Sequence, residues 1–113
     1  MNATISAGTP FSLILFGASG HLAQIKIYPA LYVLALKKRL PADYAIVGFS
    51  RSEFDDASFR KLVGDSIREH MPAVTEPALE EFLTHVHYHV GQYTGASDFQ
   101  KLTDRLNNIE QGW

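Results

Sequence analysis

The stretch Phe11-Ser-Leu-Ile-Leu-Phe-Gly17-Ala-Ser-Gly20-His-Leu-Ala23 constrains this chain more than any other. A short, almost wholly apolar run ends at one glycine, a second glycine follows three residues later, and helix-forming residues begin at once. The run reads as a buried strand, and buried strands of this kind belong to parallel sheets covered on both faces. A strand, tight turn and helix start is also how a backbone holds a phosphate: the first-turn amides point at the anion and the helix dipole favours its charge. Gly17 is expected to turn the chain sharply, with positive φ available to it, while Gly20 keeps a side chain away from a pyrophosphate. Ala23 is the small residue that lets the helix approach the sheet. Ser19 offers a hydroxyl for capping or for phosphate. The spacing G-x-x-G-x-x-A departs from G-x-G-x-x-G, so an ordinary strand-to-helix turn stands as the alternative.

The rest of the chain alternates in the same manner. A helical pattern extends from about Gly20 to Arg39, with Pro29 expected to kink or divide it and Pro41 to stop it. Ala45–Phe49 reads as a second strand. A helix follows over Asp56–His70 with Phe59, Leu62, Val63 and Ile67 on one face, and another opens at Thr75-Glu-Pro, where Thr75 is placed to cap. Val86–Val90 is a third strand, and Phe99, Leu102, Leu106 and Ile109 mark a last helix from about Ser97 to Ile109. The order β-α-β-α-α-β-α predicts an α/β fold, a Rossmann-like doubly wound parallel sheet with right-handed crossovers. Three strands make that sheet incomplete, because the last helix has no following strand. One truncated domain over residues 1–113 is therefore expected, preceded by a flexible stretch over residues 1–10.

Composition narrows the function classes. The chain has 113 residues, 46% hydrophobic and 19% charged, which suits an ordinary globular domain. A net charge of −2 gives no reason to expect nucleic acid or an acidic membrane surface, and no apolar run is long enough to span a bilayer. Without cysteine there is neither a disulfide nor a thiolate metal site. Met1–Pro10 lacks the basic start of a secretory signal, so the cytoplasm is the default expectation.

The end of the second strand carries the choice of ligand. Dinucleotide-binding sheets place an acidic residue there for a ribose 2′-hydroxyl, or an arginine for a 2′-phosphate. This strand runs into Ser50-Arg51-Ser52, with no carboxylate at the position. Arg51 offers a two-pronged phosphate contact and Ser50 a hydroxyl, so NADP is favoured over NAD; the alternative is a solvent-facing loop arginine. His85, His87 and His89 alternate along the third strand and would share one face. Zinc ligation and a partly exposed strand face are the two readings, and the second fits the lack of a further ligand. Asp55-Asp56 and Glu80-Glu81 sit near helix starts, where they suit the dipole better than acid/base chemistry.

These residues together resemble a known family. Gly17-Ala-Ser-Gly-His-Leu-Ala-Gln-Ile-Lys-Ile-Tyr-Pro29 is similar to the N-terminal signature of the glucose-6-phosphate dehydrogenase family, Ile46-Val-Gly-Phe-Ser-Arg-Ser52 to its second-strand segment, and Tyr88-His-Val-Gly-Gln-Tyr93 to its Y-x-x-G-Q-Y segment. The resemblance implies oxidation of glucose 6-phosphate at C1 to the 6-phospho-lactone, with hydride passed to NADP, as the entry to the pentose phosphate pathway. It implies that Gly17, Ala18, Ser19, Gly20, His21, Leu22 and Ala23 hold the coenzyme pyrophosphate, that Ser50 and Arg51 meet the 2′-phosphate, and that Lys26 lies where coenzyme and sugar phosphate join. His21 stands where the family has Asp, beside the expected nicotinamide end, and Gln24 and Ile25 replace a generally basic stretch. The family's catalytic histidine, its sugar-binding segment, its substrate domain and its oligomer interface lie past residue 113. NADP binding without turnover is the expectation for the chain alone, and glucose 6-phosphate becomes a partner only with the substrate domain present. Two rivals stand beside it: a short-chain-reductase-like sensor, whose Tyr-x-x-x-Lys pair this chain lacks, and a truncated product that binds nothing.

Overall fold

Residues 9–71, 73–92 and 96–113 are described in a computed structural model. Three parallel strands, β1 (Phe11–Phe16), β2 (Tyr44–Ser50) and β3 (Val86–Val90), form one sheet in the order β1-β2-β3. Helices α1 (Tyr28–Leu36), α2 (Asp56–His70), α3 (Glu76–Leu83) and α4 (Ala96–Ile109) connect or follow them. The expected α/β, Rossmann-like architecture is present, with a small sheet. Most of residues 1–10 lies outside the described residues.

Pleating sorts the strands between two cores. On one face Ile46, Val86 and Tyr88 meet Tyr28 and Tyr32 of α1, Phe59, Val63 and Ile67 of α2, and Leu79 and Phe82 of α3. Phe59 is the hub: it is fully buried, lies edge-on to Tyr28 at 6.0 Å and packs on Tyr88 at 4.8 Å. On the other face Ala45, Val47 and Phe49 lie under Leu102 of α4. β2, the central strand, is buried along its whole length, longer by a residue at each end than its apolar run predicts.

The helical pattern from Gly20 differs from expectation in an instructive way. His21 and Leu22 are helical, Ala23–Ile27 forms a π-helical turn, and α1 proper begins at Tyr28. Proline has no N–H, and its ring crowds the carbonyl four residues back. Widening the turn, so that Tyr28 N–H reaches Ala23 O, lets the chain enter Pro29 without a sharp kink. The helix then ends at Leu36 instead of Arg39. Lys38 takes φ 56°, Lys38 N–H reaches Ala35 O at 3.0 Å, and Arg39 N–H reaches Leu34 O at 2.9 Å. That pair of bonds closes a Schellman motif before Pro41 is reached.

The remaining boundaries follow local chemistry. Asp55 caps α2 through a reciprocal box, accepting from Ser58 N–H at 2.7 Å while Asp55 N–H donates to Ser58 Oγ at 3.0 Å. The bond from Ser58 N–H, with a second from Ser58 Oγ at 2.8 Å, holds the Asp55 carboxyl below its usual range. Thr75 occupies the N-cap position of α3, but its side chain makes no capping bond there. Gly48 in β2 answers to a close approach. A Cβ there would stand 2.6 Å from Phe59 Cζ and 2.7 Å from Ala18 Cβ, so only glycine lets the turn after β1 settle onto the core.

Candidate functional site

The turn after β1 is built from its carbonyls outward. Gly17 adopts φ 69°, the left-handed conformation expected of it, and its N–H still pairs across the sheet to Phe49 O at 3.2 Å. Gly20 N–H returns to Gly17 O at 2.9 Å, and Gln24 N–H to Gly20 O at 3.2 Å starts the helix. Ala18 is fully buried, and its carbonyl accepts from Tyr28 Oη at 2.5 Å. Burial pushes the Tyr28 phenol well above its ordinary value, so it stays a donor. Gln24 Nε2 donates to Ser19 O at 3.0 Å, and Ser66 of α2 holds the other end of that amide at 3.3 Å. The carbonyls of Gly17, Ala18 and Ser19 are thus each taken by an internal donor. Among the described residues the amides of Ala18 and Ser19 meet no protein acceptor. Ala18 is buried, so of these two amides the one left for a ligand is that of the half-buried Ser19, and N–H is the polarity an anion requires.

The end of β2 faces the same space. Gly17, Ser19, Gly20, Ser50, Arg51, Ser52 and Gln92 line one open cleft of about 580 Å³. Ser19 Oγ and Ser52 Oγ lie 3.0 Å apart and tie the two loops together across it. Arg51 is exposed, and among the described residues it is the one charged residue in the lining, with no carboxylate beside it. Ser50 is turned inward, 5% exposed, and meets the Tyr88 hydroxyl at 2.5 Å.

The structure separates some residues that the sequence grouped. His21 is exposed and opens onto a different groove, between the helix start and α2, with Ser58, Lys61, Asp65, Glu69 and His70. It does not line the cleft that holds Arg51. Leu22 is 66% exposed beside that loop, whereas Ala23 is buried and serves as the small contact between helix and sheet. Lys26 is exposed on the π-helical turn, and its ammonium makes no hydrogen bond or ion pair to another described residue. Two contributors escaped the sequence reading. Gln92 follows β3 as Arg51 follows β2, so the strand-end rule that found one also reaches the other. Gln24, read as a departure from a basic stretch, is the brace of the turn.

The three alternating histidines do not share one face. β3 begins at Val86, so His85 belongs to the preceding turn. Its ring stacks on Tyr44 at 3.7 Å, with Nδ1 2.8 Å from Tyr44 O and Nε2 3.2 Å from Glu81. His89 instead lies against Phe49 on the α4 side. Among the described residues no three His, Asp or Glu side chains gather as metal ligands do. Asp56 is likewise no acid/base partner of Asp55: it pairs with Arg105 of α4 at 2.8 Å.

Residues 14–112 match the family profile described as glucose-6-phosphate dehydrogenase, NAD binding domain. The chain is 36% identical over 103 residues to the chloroplastic glucose-6-phosphate 1-dehydrogenase of Spinacia oleracea, covering 89% of this chain and 18% of that protein. It is 35% identical over 97 residues to the enzyme of Aggregatibacter actinomycetemcomitans, covering 86% and 19%. A solved glucose-6-phosphate dehydrogenase in complex with glucose-6-phosphate superposes with a TM-score of 0.81 at 29% identity, over 96% of this chain and 22% of that one. The enzyme from Mycobacterium avium shares the fold with a TM-score of 0.77, over 83% and 21%. The chain therefore spans about a fifth of the length of the proteins it matches. No described helix is long and apolar enough to cross a membrane. A donor-only turn after β1, a cationic strand end beside it and these matches lead to one conclusion: the chain belongs to the glucose-6-phosphate dehydrogenase family and corresponds to its N-terminal, nicotinamide-coenzyme domain.

Proposed function

We propose that this chain binds NADP⁺ in the cleft between the Gly17–Ala23 turn and Arg51, as the coenzyme-binding part of a glucose-6-phosphate 1-dehydrogenase. The observation that carries the reading is the charge of the cleft: among the described residues Arg51 is its one charged residue, and no carboxylate stands at the end of β2 to take a ribose hydroxyl. The pyrophosphate would meet the amides of the turn, and the 2′-phosphate the Arg51 guanidinium with Ser52 beside it. Lys26, exposed on the same helix start, would by the family resemblance meet the sugar phosphate where it joins the coenzyme. When bound, NADP⁺ accepts the hydride released from C1 of glucose 6-phosphate. The hydroxyl proton of C1 needs a general base, which the family's substrate domain supplies. The chain alone is expected to bind without turnover; glucose 6-phosphate and a second subunit would be partners only together with the family's substrate domain. The cytoplasm is the compartment of this reading, although relatives in the family include chloroplast enzymes.

Calorimetric titration with NADP⁺ and with NAD⁺ tests the reading. A charge-assisted contact contributes about 1.5–3 kcal/mol, so NADP⁺ should bind about 10- to 100-fold more tightly, and Arg51→Ala should bring the two near parity. Equal binding of both coenzymes by the unmodified chain contradicts it. Glucose 6-phosphate-dependent formation of NADPH by the purified chain contradicts the statement about turnover.

A further inference from the structure

Arg51 sits at the apex of a three-residue turn, and that turn is closed by a ring of hydrogen bonds. Ser52 N–H donates to Ser50 Oγ at 3.3 Å, Ser50 Oγ contacts Tyr88 Oη at 2.5 Å, and Tyr88 Oη donates to Ser52 O at 2.6 Å. The donors run consistently in one direction, because Tyr88 commits its proton to Ser52 O and so accepts from Ser50. Rings of this type polarise each member in turn and strengthen when shielded from water. Shielding is present: Ser50 is 5% and Tyr88 3% exposed. The ring of Tyr88 is itself immobilised, wedged edge-on to Phe54 at 5.4 Å and against Phe59 at 4.8 Å. Its backbone is fixed as well, with Tyr88 N–H bonded to Asp56 at 2.8 Å and Tyr88 O to Arg105 at 3.0 Å. A tyrosine held at these four points thus presents one hydroxyl to the turn that bears the cleft's cation, and Ser52 passes the constraint on to Ser19 of the facing loop.

We propose that Tyr88 is a specificity-determining positioning residue, whose hydroxyl fixes the Ser50–Ser52 turn so that Arg51 is held ready for the 2′-phosphate. The proposal rests on the reading that Arg51 meets that phosphate. A long arginine on a loose turn loses rotamer and backbone freedom on binding, and a turn fixed beforehand does not. Tyr88 touches no ligand in this account; it acts through Arg51.

The test uses 2′,5′-ADP and 5′-ADP as probes, with the unmodified chain, Tyr88→Phe and Arg51→Ala. Removing one hydroxyl of the ring should weaken 2′,5′-ADP about 5- to 10-fold and leave 5′-ADP nearly unchanged. Amide exchange at Ser52 should quicken in Tyr88→Phe, with exchange at Ile46 in the sheet unaltered; a role confined to packing would move both or neither. Should Tyr88→Phe fold poorly, Ser50→Ala opens the same ring while leaving the Tyr88 phenol in place and should give the same selective loss. Undiminished 2′,5′-ADP binding in Tyr88→Phe, with Arg51→Ala impaired, overturns the positioning role alone. No difference between the unmodified chain and Arg51→Ala overturns the reading beneath it.

Discussion

The two edges of the sheet are finished differently. Along β3 the outward backbone is sealed by side chains: Arg60 Nε donates to Val86 O at 2.7 Å, Tyr88 N–H donates to Asp56, and Arg105 donates to Tyr88 O while pairing with both Asp56 oxygens. Edge strands left bare invite pairing with other chains, and such charged seals blunt them. Along Phe11–Leu15 of β1 no comparable seal is present among the described residues; the one side-chain link is Ser12 Oγ donating to Glu110 at 2.6 Å. The difference teaches where the small sheet is self-sufficient. Its sealed edge is the one whose Tyr88 supports the Arg51 turn, so the part of the cleft that would read the 2′-phosphate is held by this chain's own side chains. β1 carries the Gly17–Ala23 turn on a strand whose far side, along Phe11–Leu15, has no such seal among the described residues.

Breaking the seal should produce the largest effect. Asp56→Ala strands the half-buried Arg105 guanidinium and the Tyr88 N–H together, and should lower the unfolding free energy by about 2–3 kcal/mol in urea titration. Arg105→Ala should cost less, because Asp56 keeps its bond to Tyr88 N–H. A smaller and more local contrast lies in amide exchange. The Tyr88 N–H points away from β2 yet is bonded to Asp56, so it should exchange as slowly as amides of β2, whereas Ile14 on the open edge should exchange faster. Asp56→Ala should erase that contrast. The smallest effect is the pH response of β3. Burial, with Arg60 and Arg105 nearby, outweighs the Asp56 carboxylate and lowers the His87 pKa; burial lowers that of His89 too. A histidine with a depressed folded value costs nothing above the unfolded pKa of about 6.5, and its stabilising contribution is lost as pH falls through that value toward the folded one. Stability should therefore decline on acidification from neutrality, and His87→Gln should flatten the decline. Asp56 behaves separately: burial opposes its ionisation, but the bonds from Tyr88 and Arg105 prevail and lower its pKa, so its contribution fails only near pH 4 and below.

What the sequence revealed, and what it hid, divides by the range of the interactions. The β1 and α2 boundaries and the left-handed Gly17 were legible, because each depends on residues within a few positions of one another. The Schellman end of α1 at Lys38 was not: lysine in that conformation carries no compositional mark. The histidine alternation misled for a related reason, since period two holds only inside a strand and His85 precedes it. Tyr88, 36 residues from Ser52, was visible as part of a family motif but not as the support of a turn. Gln24 looked like a missing charge until its amide was seen bridging Ser19 and Ser66. Residues that touch a ligand leave motifs; residues that hold the touching ones in place show only in three dimensions.

The central claim is that the cleft between the Gly17–Ala23 turn and Arg51, and not the neighbouring groove at His21, receives the coenzyme. Amide chemical shifts followed during NADP⁺ titration of the labelled chain test it most directly. The account predicts shifts at Gly17, Ser19, Gly20, Arg51, Ser52 and Gln92, with Lys61, Asp65 and His70 unmoved. Shifts gathered on Lys61, Asp65 and His70, or none at all at saturating NADP⁺, would contradict it.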